Sequence, residues 1–181
     1  MNAHKTTTGG VVVTLVIVLS FIAIDISRTT TSRGFEAALA PALDPALGGG
    51  GRVPFDVLDS GPFGYYLTGY VLSILGLLTA TLLLLTAALT YSRRGQLGRR
   101  IGLLLSGASV GIMVWAVGKF ITHMGNNFAA NRLGVLDRWD GMNTLDQQTM
   151  ILMFMFFATL SFLSMVSART LQMQEDQEGL V

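Results

Sequence analysis

The chain has 181 residues, of which 51% are hydrophobic and only 13% are charged, and its formal net charge is +1. Because soluble domains carry about a quarter charged residues, this deficit indicates a lipid-facing surface, and the near-neutral charge argues against nucleic acid as a partner. The chain has no cysteine, which excludes disulfides, thiolate metal sites, iron–sulfur clusters and a cysteine nucleophile. A haem held by two histidines of this chain would need both His4 and His123, and His4 lies in a polar N-terminal tail. We therefore predict no cofactor.

Four apolar stretches follow one another, each close to the length of about 20 residues that a helix needs to cross about 30 Å of hydrocarbon. They predict an all-α integral membrane protein, a four-transmembrane-helix bundle that forms a single membrane domain over residues 1–181. Its first outer loop is long and rich in proline and glycine, and its second outer loop is shorter. The predicted spans are 9–28, 65–91, 101–124 and 147–168, with outer loops 29–64 and 125–146, an inner link 92–100 and an inner tail 169–181.

The first apolar stretch has two interpretations. It could be a secretory signal with Lys5 as its charged region. The sequence from Ala23 to Asp25 is a poor cleavage site, however, and we favour a retained membrane anchor.

The first outer loop contains all four prolines and the glycine run Gly48–Gly51, which oppose a long regular helix. A short helix fits Gly34–Leu39, and the glycine run is expected to be a hinge. The segment Pro54–Gly64 mixes aromatic and turn residues, and we expect it to fold back onto the membrane surface or onto a partner. A loop of this length is usually functional or bound to something.

Tyrosines mark both ends of the second span, with Tyr65, Tyr66 and Tyr70 at its start and Tyr91 at its end. This placement is typical of the interfacial aromatic belts, where the apolar ring and the polar hydroxyl face different media. We therefore expect these tyrosines at the two membrane–water interfaces.

The third span carries Gly107, Gly111 and Gly118, which fall within about 40° of one another on a helix of 100° per residue. Small residues on one face let another helix backbone approach closely, so the three glycines predict a helix-packing seam. Glycine is common in membrane helices, and the alternative is that the pattern reflects composition alone.

The fourth span has three methionines and three phenylalanines at its centre, between Met150 and Phe157. Methionine is flexible and fills irregular gaps, so we interpret this stretch as ordinary lipid or helix contact rather than a cofactor pocket.

The orientation of the chain follows from four arginines in the inner link, Arg93, Arg94, Arg99 and Arg100. Short loops dense in Lys and Arg stay on the cytoplasmic side of a membrane. We therefore expect a multi-pass protein of a cytoplasmic (inner) or plasma membrane, with the link and both termini on the cytoplasmic side.

Three ionisable residues lie near the apolar runs, and charges inside a bilayer are functional candidates by default. The simplest interpretation pairs Asp25 with Arg28 and lets Lys119 extend to the interface. Alternatively, Asp25 and Lys119 pair across two helices and fix their register, or they carry protons or ions. His123 is either a hydrogen-bonding residue or a ligand to a haem, pigment or metal held jointly with another chain.

The predicted topology has cytoplasmic termini, a long first outer loop, a short basic turn and a shorter second outer loop. It resembles that of the claudin and peripheral-myelin-protein group of four-span proteins. The resemblance covers the arrangement only, since the first loop has neither the Trp nor the Cys residues of that group. No functional residue is transferred from it.

No nucleophile constellation, metal-ligand cluster or phosphate loop is recognisable, so we do not predict an enzyme. The sequence favours a non-catalytic structural or accessory subunit of a larger respiratory, photosynthetic or transport complex. Its expected partners are membrane lipids and other integral membrane subunits in a hetero-oligomer. The alternatives are a claudin-like scaffold or adhesion protein, and a small membrane subunit of a transporter or channel in which Asp25, Lys119 and His123 line a path.

Overall fold

The computed structural model describes residues 2–43, 51–94, 98–143 and 147–178. The fold is all-α, as predicted, and four of its helices are long and apolar enough to span a membrane. The helices are α1 (Asn2–Ser32), α2 (Ser60–Arg94), α3 (Arg99–Arg132) and α4 (Gln147–Glu178), with an antiparallel ribbon of β1 (Gly34–Glu36) and β2 (Arg52–Pro54) between α1 and α2.

The helices α2 and α3 are much longer than a bilayer requires. They contain 35 and 34 residues, which is about 50 Å each at about 1.5 Å per residue. Hydrocarbon about 30 Å thick needs only about 20 residues. The helices therefore extend beyond the predicted spans 65–91 and 101–124, chiefly at the start of α2 and at the end of α3.

Local sequence explains where these extensions begin and end. Pro62 lies in the first turn of α2, where the absence of its N–H costs no helical hydrogen bond. The end of α3 is closed by Gly134, whose φ of 68° is the left-handed conformation that favours glycine. There the N–H of Val135 donates to the carbonyl of Ala130 at 3.0 Å, and the N–H of Gly134 donates to that of Asn131 at 3.4 Å. Together these bonds form a Schellman motif.

The chain divides into two compact units, each described by itself. We call them the helical unit (Met1–Ile22, Leu75–Met113 and Leu152–Val181) and the loop unit (Ala23–Ile74 and Val114–Ile151). In the helical unit, Ser164 Oγ donates to the carbonyl of Gly102 at 3.1 Å, and Ser167 is buried beside the same glycine. Small polar residues of α4 therefore pack against the start of α3.

The core of the loop unit is organised by the β-ribbon. Phe35 of β1 pairs with Val53 of β2, and both side chains are buried. The prediction of a short helix over Gly34–Leu39 is therefore wrong, since residues 34–36 form β1, residues 37–39 are not helical, and a short 3-10 helix begins only at Ala40. An extended backbone places Phe35 on the buried face of the ribbon, where it pairs with Val53. A helix over the same residues would leave Val53 without this pairing. Residues 48–50 of the predicted glycine hinge lie outside the described residues, and Gly51 precedes β2 with a φ of 79°.

Candidate functional site

Five aromatic rings from the first loop and the start of α2 form one cluster, which we call the aromatic cap. Its members are Phe35, Phe55, Phe63, Tyr66 and Tyr70. Phe35 lies at the centre, with the other four ring centroids 4.8, 5.7, 5.5 and 6.0 Å away in that order. Separations of about 4.5–7 Å are favourable for aromatic pairs and contribute about 0.5–1.5 kcal/mol each beyond burial. The cap is therefore a packed core in its own right.

The turn at the end of α1 positions Phe35 in this core. Arg33 has a φ of 48°, which redirects the chain from α1 into β1. The N–H of Phe55 donates to the carbonyl of Arg33 at 3.0 Å, which fixes the exit of β2 beside the entry to β1. As a result Phe35 and Phe55 lie next to each other at the base of the cap.

A pair of charged residues lies at the edge of the ribbon. Arg52 Nη1 donates to the carbonyl of Gly34 at 3.1 Å, and Arg52 Nη2 lies 4.0 Å from a carboxylate oxygen of Glu36. The Glu36 side chain is 74% exposed, so the ion pair contributes little stability. The hydrogen bond to the backbone is the contact that holds Arg52 against β1.

Two tyrosine hydroxyls connect the cap to neighbouring helices. Tyr66 donates to Asn126 Oδ1 of α3 at 2.6 Å, and both side chains are buried. Tyr70 donates to the backbone carbonyl of Asp25 in α1 at 3.3 Å. The side chain of Tyr66 is fully enclosed by protein, so its hydroxyl faces Asn126 and not a membrane surface. Tyr65 is the neighbour that remains exposed.

The second loop packs onto the same core. Trp139 is buried, and its Nε1 donates to Asn127 Oδ1 of α3 at 2.9 Å. Ala129 and Ala130 of α3 are fully buried in the same cluster as Phe35. Two loops far apart in sequence thus share one hydrophobic core at the end of α3.

This core also corrects the interpretation of Pro54–Gly64. Phe55 and Phe63 of that segment contact each other with ring centroids 5.8 Å apart, and both contact Phe35. The segment folds onto the aromatic cap of its own chain, whereas the sequence suggested the membrane surface or a partner. Two features of the sequence relate to this core, namely the aromatic residues of 54–64 and the adjacent asparagines of α3. Neither feature by itself identifies the residues that it contacts.

The predicted ionisable residues all fall in the loop unit. Asp25 and His123 are half-buried, and Lys119 is exposed. Within the described residues Asp25 and Lys119 form no ion pair, and the contact at Asp25 is made by its backbone carbonyl. Their pairing and the ligand role of His123 remain predictions. No group of three or more His, Asp or Glu side chains among the described residues is arranged to hold a metal ion.

In the loop unit, the predicted seam residue Gly118 faces α2. A methyl group added at Gly118 would lie 2.5 Å from Ser73 Oγ, 2.6 Å from the Ser73 nitrogen and 2.7 Å from the carbonyl oxygen of Gly69. Gly69 is reciprocal, since a methyl group there would meet the Gly118 carbonyl at 2.7 Å and the hydroxyl of Thr122. The two backbones therefore approach so closely that only hydrogen fits between them.

In the helical unit, the other two seam residues also face α2. A methyl group on Gly111 would lie 2.9 Å from both the Ala80 nitrogen and the Gly76 carbonyl oxygen, and one on Gly107 would lie 2.9 Å from Leu83 Cδ1. The partner of all three glycines is thus a helix of the same chain. A second protein would need another surface for docking.

Two of the four link arginines line a cavity of about 290 Å³ in the helical unit. Its walls are formed by Thr86, Leu89, Thr90 and Arg93 of α2, and by Arg100 of α3. Arg99 is exposed and does not line it. The side chain of Arg94 and residues 95–97 lie outside the described residues, and the effect of the four arginines on orientation remains a prediction.

No protein-family model, curated protein or solved structure matches this chain. The loop unit has a core built by both outer loops and a close approach of α2 and α3 at Gly118. The helical unit has a close approach of the same helices at Gly111 and a cavity lined by two arginines.

Proposed function

We propose that this protein is a non-catalytic accessory subunit of a larger membrane protein complex. The observation that carries the proposal is the isolation of α1. Only 6% of its most apolar stretch is buried within the chain, against 28% for α2 and 33% for α3. The residues that α1 leaves exposed are large and apolar, including Val13 at 59% and Phe21 at 66%.

The proposed occupant of this exposed face is an apolar helix of another integral membrane subunit. The sequence from Thr6 to Ile24 has no charged residue, so it offers no opposite charge to pair with a charged partner. The last turns of α1 are nevertheless fixed, because the carbonyl of Asp25 accepts the hydroxyl of Tyr70 and Arg33 anchors the ribbon. A helix fixed at one end with an unfilled apolar surface suits lateral packing in a bilayer.

The proposed membrane position places the aromatic cap outside the bilayer. Arg100 and Lys119 are 19 positions apart on α3, which is about 29 Å along a helix and matches the thickness of about 30 Å of hydrocarbon. With Arg100 at the cytoplasmic interface, Lys119 lies at the outer interface and extends its ammonium group toward water. In this orientation the first outer loop and the start of α2 contribute the aromatic cap to the outer side of the membrane.

Site-specific photocrosslinking tests the proposal. A benzophenone amino acid replaces Phe21 on α1, and a matched control replaces Val110 on α3, which is 60% exposed. Irradiation of native membranes should give a discrete heteromeric adduct from position 21 and none from position 110. Adducts with a second copy of this chain would instead support a four-span scaffold. The absence of any protein adduct at position 21 would remove the reason for assigning a partner to α1.

A further inference from the structure

We propose that the cavity at the link between α2 and α3 binds the phosphate of an anionic phospholipid headgroup. Arg93 of α2 lines the cavity with one guanidinium, and Arg100 at the start of α3 lines it with a second. In the part of the chain that the structure describes, neither arginine has a carboxylate within ion-pairing distance. Arginine presents a planar set of donors that matches phosphate in two-point hydrogen bonds. Two such groups on one cavity favour a phosphate oxyanion as ligand.

The remaining walls fit the part of a lipid next to the phosphate. The hydroxyls of Thr86 and Thr90 each donate to a helix carbonyl four residues earlier, at 2.7 Å. Their protons are therefore already used and cannot donate to a ligand, and Leu89 adds an apolar side chain to the same wall. The cavity thus has a cationic end and an apolar side, which match the phosphate and the glycerol–acyl junction of a phospholipid.

The size and position of the cavity agree with this assignment. Its volume of about 290 Å³ is at the lower limit of ligand pockets, which begin at about 300 Å³. It can take a headgroup, while the acyl chains remain in the bilayer. It lies at the end of the apolar run of α2, where the chain turns at the cytoplasmic interface in the proposed orientation. Basic pockets between transmembrane helices on that side are typical binding sites for anionic lipid headgroups.

Lipid titration of the purified full-length protein in mild detergent, followed by native mass spectrometry, tests the site. The probes are phosphatidylglycerol, zwitterionic phosphatidylcholine and inorganic phosphate. The variants are Arg93→Gln, Arg100→Gln and their combination, with Arg99→Gln as the charge-matched control outside the cavity. Leu89→Trp adds a second approach, since it fills the cavity and leaves all arginines in place. Monodispersity on gel filtration shows that each variant is folded.

We expect the unmodified chain to retain phosphatidylglycerol in preference to phosphatidylcholine. Each single arginine variant should bind it about fivefold more weakly and the double variant about thirtyfold more weakly. Arg99→Gln should change binding less than twofold, and Leu89→Trp should abolish the preference. If Arg99→Gln weakened binding as much as Arg93→Gln and Arg100→Gln, or if Leu89→Trp bound phosphatidylglycerol fully, binding would depend on diffuse surface charge. Either result would overturn the proposed site. Competition by millimolar inorganic phosphate, with no preference among lipids, would show a free-phosphate site and overturn the lipid assignment.

Discussion

Replacing Gly118 by Ala tests the close approach of α2 and α3 in the loop unit. The added methyl group would meet three atoms at 2.5–2.7 Å, two of which belong to the backbones of Ser73 and Gly69. Backbone atoms have no rotamer to change, so restoring an ordinary contact of 3.4 Å to them requires the helices to separate by roughly 0.7–0.8 Å. A gap of this size forfeits about a quarter to a half of each dispersion contact along the seam, and overpacking of this kind costs about 1–3 kcal/mol.

The matched control is Gly64→Ala, on the exposed side of α2 in the same unit. A methyl group at Gly64 meets nothing within 4 Å among the described residues. Alanine is favoured over glycine in a helix by about 1 kcal/mol, so this variant should be neutral or slightly more stable than the original chain. Both variants gain the same helix propensity, and the difference between them isolates the cost of the clash.

Thermal unfolding in detergent, followed through tryptophan fluorescence from the buried Trp139 and from Trp115, measures both variants. We expect a lower melting temperature for Gly118→Ala and an unchanged or higher one for Gly64→Ala. Adding Ser73→Gly should restore little of the loss, because the clash with backbone atoms remains. Equal stability of the Gly118→Ala and Gly64→Ala chains would refute the close packing of α2 against α3.

Three further predictions concern the loop unit and the orientation of the chain. Tyr66→Phe leaves the buried Asn126 Oδ1 without its donor and should lower the free energy of unfolding by about 1–3 kcal/mol, measured in the same detergent assay. Phe35→Ala empties the centre of the aromatic cap and should lower the free energy of unfolding by about 3–5 kcal/mol. The first loop should then be cleaved faster by proteases, and an unchanged rate would contradict the packing of the cap. Since the chain has no cysteine, Glu36→Cys should react with an impermeant maleimide in intact cells and Ser92→Cys only after lysis. The reverse pattern would invert the proposed orientation.

The apolar runs predict the four helices because each provides an uncharged stretch long enough to cross a bilayer. They do not predict that α2 begins at Ser60 or that α3 continues to Arg132. Pro62 and Gly134 are compatible with these ends locally, but Phe63, Ala129 and Ala130 of the extensions pack in a core with residues distant in sequence. The spacing of the three glycines identifies the face of α3 that carries small residues. It does not identify the helix that packs against this face. The structure places α2 of the same chain there.

The aromatic cap shows the same limit more clearly. The first loop is rich in proline and glycine, so local propensity indicates an irregular segment and gives no weight to a ribbon of three residues per strand. That ribbon is held in place by the burial of Phe35 and Val53, which is a tertiary effect. Tyr66 likewise follows the pattern of an interfacial tyrosine, and only its contact with Asn126 distinguishes it from Tyr65.

Purification from native membranes in mild detergent, with subunit stoichiometry measured by mass spectrometry, tests the central claim most directly. We predict a fixed ratio of this chain to other integral membrane subunits. That ratio should fall when Phe21 on α1 is replaced by Ala and stay constant when Val110 on α3 is replaced by Ala. A chain that purifies alone or only with copies of itself, and conducts ions when reconstituted in liposomes, would contradict the account.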